Sequence, residues 1–366
     1  MGFSPFKRSL ASYAAEPENN YLIMRFVAAL LVIYGHSYSV TRFKGQYDLV
    51  QRLLRFTYAG GVGVDVFFVI SGFLVTASYL NRRNWGDFMK ARVLRIFPAL
   101  IVCMLATVLL FGPVVSTLSP MQYFANPQVY LHFLRNITLF DLDYQLPGVF
   151  EHLPQYGVNG SLWTLPVEFG LYVLLGLFGL LGLVFSRRFY LPLMVLLCAA
   201  AVFLGHEIHL VPKEGDYVRL CILFAAGSTL RVYSDRVPLS GFILVALAVP
   251  AIVAYRSTAF PVFFSLWLVY AVMWIAYMPH LNWFNRAGDY SYGLYIYAFP
   301  IQQALREYFP SIQPLEVFAS ASLLTLACAA LSWHFVEEPA LKLKGVSLRE
   351  LSLRLMRQPP ARTPEQ

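Results

Sequence analysis

Arg25 and His36 sit eleven residues apart in the first apolar stretch of the chain. At 3.6 residues per turn that spacing is nearly three whole turns. It puts both side chains on one helix face, about 16 Å apart along the axis. One end of such a face suits a phosphate-bearing ligand, and the other a proton transfer. A snorkelling arginine and a hydrogen-bonded core histidine would give the same pattern. Glu168 follows the run Ser161-Leu162-Trp163-Thr164-Leu165-Pro166-Val167. A carboxylate there could orient the His36 imidazole or bind acceptor hydroxyls, or serve a buried ion pair. Asp65 is a weaker candidate for the same pairing; a helix N-terminus would also favour it. Arg92 and Arg95, three residues apart, would share a face if their segment is helical. Two guanidiniums on one face suit phosphate oxygens, and would equally anchor a helix at a membrane surface.

Arg25, His36, Asp65 and Glu168 lie in apolar sequence, where an ionisable group costs at least roughly 2.5–3.5 kcal/mol on insertion scales. The chain has 366 residues, 58% hydrophobic and 13% charged. Its mean hydropathy is +0.57. A soluble domain carries about 25% charge, so an ordinary soluble domain and a disordered chain are both excluded. An integral membrane protein is left, and 16% aromatics suit a chain with two membrane interfaces to line.

At about 20 apolar residues per crossing, ten stretches qualify. They are 21–40, 62–80, 96–116, 161–184, 189–205, 217–233, 238–255, 260–278, 290–308 and 315–336. The fold class is therefore an all-α polytopic helix bundle of about ten spans. Basic residues fall in alternate loops: Arg82 to Arg95, Arg187 and Arg188, Arg231 and Arg236, Arg286, and the C-terminal tail. The positive-inside rule makes those loops cytoplasmic, with both termini inside. The loop 41–61 disagrees, since it holds Arg42, Lys44, Arg52 and Arg55 yet falls outside. Its basic groups could meet an anionic acceptor there.

The domain reading is a tail over 1–20, a membrane domain over 21–340 and a basic cytoplasmic tail over 341–366. A cleaved signal peptide is not expected, because no small-residue cleavage site follows the first apolar run. The long loop 117–160 has room for a short surface helix near 128–138. Asn136-Ile137-Thr138 within it matches an N-glycosylation acceptor pattern, one that chance also produces. Cys103, Cys198, Cys221 and Cys328 lack metal-finger spacing and read as small buried hydrophobes. The net charge of +8 is topological, so no nucleic-acid partner is expected. The tyrosines of Ser291-Tyr292-Gly293-Leu294-Tyr295 line a polar cavity or form an aromatic belt. His334, Glu337 and Glu338 close the last span as a solvated end.

Several segments together resemble the acyltransferase-3 family of bacterial membrane proteins, whose members include O-antigen and exopolysaccharide O-acetyltransferases. They are Arg25 with His36, the run from Gly63-Val64-Asp65 to Gly72-Phe73-Leu74, and Arg92-x2-Arg95-Ile96-x-Pro98. Ser161 to Glu168, Ser291 to Tyr295, and Glu338-Pro339 complete the set. The resemblance covers about residues 20–340. It implies acetyl transfer from cytoplasmic acetyl-CoA (acyl-CoA) to a carbohydrate hydroxyl, in a bacterial inner membrane. His36 would be catalytic, with Arg25, Arg92 and Arg95 serving the donor. Trp163, Tyr292 and Tyr295 are candidates for substrate contact. Many relatives carry a histidine where this chain has Ala298, before Phe299-Pro300. That points to the exopolysaccharide branch. The extracellular hydrolase-like domain of some relatives is not expected, so acyl groups would pass directly to a glycan or a partner. No metal is expected. A multi-span transporter or flippase is the rival reading, but the two matched halves of broken helices typical of one are not evident.

Overall fold

A computed structural model describes residues 8–41, 46–155, 157–204, 214–279 and 281–345. Among the described residues, each of the ten apolar stretches holds a helix. They form α1 (Tyr21–Thr41), α2 (Ala59–Arg82), α3 (Trp85–Ala106), α5 (Thr164–Leu180) and α6 (Arg187–Leu204). The others are α7 (Glu214–Val232), α8 (Gly241–Val253), α9 (Phe260–Ala276), α10 (Ser291–Tyr308) and α11 (Pro314–Ser332). No strand occurs among the described residues. Five helical segments are long and apolar enough to cross a bilayer: Tyr21–Thr41, Ala59–Arg82, Trp85–Val115, Gly160–Leu180 and Pro314–Gly345. Gly241–Val253 and Phe260–Ala276 are shorter apolar helices.

The surface helix expected near 128–138 is α4 (Pro127–Thr138). Its start follows from Asn126, whose side chain accepts from the Gln128 N–H, and from Pro127 in the first turn. Val129, His132 and Asn136 fall on its buried face. Asn136 is fully buried and donates to the His132 and Asp143 carbonyls, so its side chain is closed to glycosylation. α4 caps a small separate core that includes Tyr123, Val149 and Phe150.

The third span starts well before residue 96. Arg92 and Arg95, expected in a loop, stand inside α3. Asn84 caps that helix by accepting from the Asp87 N–H, and the helical run continues to Val115. A run of 31 residues exceeds the membrane's need of about 20, so its first turns can carry charge without loss of helix. A π-helical stretch, Thr107–Phe111, interrupts it, and another, Trp333–Glu337, follows α11.

Glycines set how closely α2 approaches its neighbours. A Cβ on Gly63 would stand 2.5 Å from the Ala28 carbonyl oxygen of α1. One on Gly35 would stand 2.6 Å from the Gly60 backbone nitrogen. On the other side, Gly72 meets the Phe224 carbonyl of α7 and Gly227 meets the Val69 carbonyl of α2. Small residues let helix backbones touch where lipid offers no hydrophobic drive. The end holding the start of α1 is the near end and the opposite one the far end. Asn20 fixes the near end by donating to the Ile275 carbonyl in the last turn of α9 and to the Met278 carbonyl just beyond it.

The N-terminal reading covers described residues only from Arg8, and residues 346–366 of the basic tail lie outside the described residues, as do Arg42 and Lys44. Cys103 is buried, and Cys198, Cys221 and Cys328 are half-buried; all four are free thiols.

Candidate active site

A cavity of about 300 Å³ opens among α1, α2, α3, α5, α10 and the chain after α11. That is the low end of the range for small-molecule sites. Six of the nine residues singled out from the sequence line it: Arg25, Arg92, Arg95, Glu168, Tyr292 and Tyr295. His36, Asp65 and Trp163 do not.

Arg25 of α1 and Arg95 of α3 converge on one carboxylate. Both donate to Oδ2 of Asp289, at 2.6 and 2.7 Å. Asp289 lies just before α10, and its Oδ1 accepts from the Ser291 hydroxyl at 2.6 Å. Burial alone would raise this carboxyl's pKa, but the two guanidiniums and the Ser291 bonds hold it down to about 2. Glu337 stands 3.6 Å from Arg95 and accepts from the Ser332 hydroxyl at 3.0 Å. It is 2% exposed, so the expected solvated helix end is corrected at this residue. The π-helical stretch it closes turns it inward, while His334 and Glu338 stay out. Tyr292 supports the array by donating to the Ile96 carbonyl at 2.9 Å, with Arg95 over its ring.

Arg92 goes elsewhere. Its guanidinium lies over the Phe88 and Tyr172 rings and reaches Ser78 Oγ at 3.5 Å. Glu168 accepts from the Tyr172 hydroxyl, one turn along α5, and from Ser71 Oγ at 3.4 Å. Its expected role beside His36 is therefore corrected: the carboxylate faces the cavity, held by neighbours on α5 and α2. Thr164 and Tyr295 hydroxyls, 2.6 Å apart, bound the cavity on the far side.

His36 is buried beyond that boundary. Its ring meets Phe299 edge-on at 5.2 Å and Tyr58 at 6.3 Å. Its Nδ1 has no hydrogen-bond partner among the described residues. The Gly35–Gly60 contact sets it about one helical turn, some 6 Å, beyond Val64, which lines the cavity. Asp65 pairs with Arg219 of α7 at 3.1 Å, which also reaches Asp216 at 3.4 Å. Its expected pairing with His36 is likewise corrected, because Arg219 holds the carboxylate. Trp163 packs edge-on against Tyr217 at 5.3 Å, at the same far-end cluster.

Sequence reasoning missed Asp289, Glu337, Tyr172, Arg219 and Lys344. Arg219 and Glu337 carried the signal used for Arg25, a charge in apolar sequence. Asp289 stood one residue outside the ninth stretch. Among the described residues, no group of three His, Cys, Asp or Glu side chains could hold a metal ion. The site offers cations at one end, hydroxyls at the other and a buried imidazole beyond.

The acyltransferase domain family (acyltransferase-3) matches residues 19–334. An O-acetyl transferase of Shigella phage Sf6 is 30% identical over 330 residues, covering 86% of this chain and 93% of the relative. Nodulation protein 10 of Rhizobium leguminosarum bv. viciae is 27% identical over 365 residues, covering 92% and 96%. A putative peptidoglycan O-acetyltransferase, YrhL, of Bacillus subtilis (strain 168) is 25% identical over 347 residues, covering 78% and 51%. No solved structure matches.

Proposed function

The chain belongs to the acyltransferase-3 family and is an acyltransferase; from that premise we propose that it carries an acetyl group from acyl-CoA to a hydroxyl of an exported carbohydrate. The observation that carries this reading is the convergence of Arg25, Arg92 and Arg95 on one cavity that runs inward to paired hydroxyls. A cationic near end suits the phosphates of CoA. The narrow interior suits its thin uncharged arm.

His36 is the general base of this proposal. The acceptor oxygen attacks the thioester carbon while its proton passes to the imidazole. The C–S bond then breaks, and the departing sulfur recovers that proton. Thr164 and Tyr295 must part for the thioester to meet His36. Glu168 serves the cavity wall, and the Asp65–Arg219 pair with Trp163 serves the acceptor end. A ten-span topology with both termini cytoplasmic, in a bacterial inner membrane, puts the cationic end toward the acyl-CoA pool. Residues 21–340 form the catalytic domain between two tails. The O-acetyltransferase names of the phage and Bacillus relatives support an oxygen acceptor, and the latter name a glycan.

The test uses membranes holding wild type or His36→Ala, acetyl-CoA labelled in its acetyl group, and a glycan fraction from the source cell. Label in base-labile esters is expected with wild type and absent with the variant. Equal labelling by both would remove His36 from the chemistry. No labelling by either would favour transport of a glycan precursor instead.

A further inference from the structure

The cations at the cavity are not equally satisfied. Arg25 and Arg95 share Asp289, and Arg95 has Glu337 in reach. Arg92 has no ion pair with a carboxylate among the described residues, and its Nε is buried without a hydrogen-bond acceptor. Lys344 lines the same cavity, from the turn Leu343–Gly345 that follows the last helix. It too forms no ion pair with a carboxylate among the described residues. Lys344 is half-buried between exposed neighbours, which sets it at the rim. Burying Arg92 without a counter-ion is costly, and a second cation beside it adds repulsion. An anion seated between them removes both costs.

We propose that Arg92 and Lys344 form the subsite for a phosphate monoester, the 3′-phosphate on the ribose of acyl-CoA. This rests on the acyl-CoA reading above and assigns one of the donor's groups to a place. A monoester concentrates close to two negative charges on one phosphorus, which matches two adjacent cations. It also lies at the end of the donor remote from the thioester, as the rim lies remote from Thr164 and Tyr295. Arg92 thus works with Lys344, while Arg95 belongs to the Asp289 array.

The experiment measures binding of CoA and of 3′-dephospho-CoA to the full chain in lipid nanodiscs. Wild type, Lys344→Ala, Lys344→Arg and Lys342→Ala are compared; Lys342 is exposed and pairs with Glu338 at 3.1 Å. Wild type should prefer CoA about tenfold, the size of one charge-assisted hydrogen bond. Lys344→Ala should bind both ligands alike, at the weaker level. Lys344→Arg should keep the preference, and Lys342→Ala should match wild type. Equal affinities in wild type, or a Lys344→Ala loss shared by both ligands, would overturn the subsite. So would an equal effect of Lys342→Ala. A wild type that prefers CoA through Lys344 but transfers no acetyl would keep the subsite and sink the transfer reading. Failure to bind either ligand would sink both.

Discussion

Replacing Asp289 by Asn removes a charge and keeps the shape. The native carboxyl sits at about 2 rather than 3.8, since Arg25, Arg95 and Ser291 outweigh the effect of burial. At roughly 1.4 kcal/mol per pH unit, that difference stabilises the folded protein by about 2 kcal/mol. The side chain is 13% exposed, so solvent screening removes little of it. Leaving Arg25 and Arg95 facing each other adds a further cost, and one-sided removal of a buried pair costs about 3–5 kcal/mol. The expected loss is therefore about 2–5 kcal/mol. Its pH dependence follows from the depressed pKa. The contribution is full above the unfolded value of 3.8 and fades as pH falls through the folded value. Across pH 5–8 the gap between wild type and Asp289→Asn should stay constant. The assay is denaturant unfolding of both purified proteins in nanodiscs at several pH values in that window. A gap below about 1 kcal/mol, or one that changes across the window, would refute the pairing.

Three more outcomes are expected. Arg92→Ala should raise KM for acetyl-CoA about tenfold, whereas Arg95→Ala should chiefly lower folded yield by stranding Glu337 and leaving Asp289 with Arg25 alone. Steady-state kinetics beside a detergent-stability assay separate the two, and matched KM changes at intact yield would contradict the split. Gly293→Ala should destabilise the protein by about 1–3 kcal/mol, because its Cβ would stand 2.7 Å from the Ala329 Cα and push α10 from α11. An unchanged unfolding midpoint would show that those helices yield. Asn136→Ala should cost about 1–3 kcal/mol by freeing two buried carbonyls, with no change in gel mobility from lost glycan.

Apolar length located a helix in each of the ten stretches, and five of the helical segments are long and apolar enough to cross a bilayer. It misjudged where α3 begins, since a helix longer than the bilayer can start in charged sequence once Asn84 caps it. Spacing assembled Arg25, Arg92, Arg95, Glu168, Tyr292 and Tyr295 around one cavity. It did not reveal their partners. Asp289 meets Arg25 across 264 residues of chain, and no local period encodes that contact. Glu168 was matched to His36 by type, yet its own helix supplies Tyr172 four residues on, a nearer claim on the carboxylate.

The glycines at positions 72 and 227 have a mechanical bearing. Each carbonyl of the facing helix rests on a bare α-carbon, so at this crossing no side chains stand between the α2 and α7 backbones to shear. The pair is stiff in the way a riveted joint is stiff. Helices that meet α2 through rotatable side chains, α5 through Tyr172 and Ser71 among them, hold the compliance. A cavity with one fixed wall and one yielding wall breathes in a single direction. Ligands of different girth would then register as displacement of α5 and the chain after α11, while the face carrying Val64, Phe68 and Ser71 keeps its place.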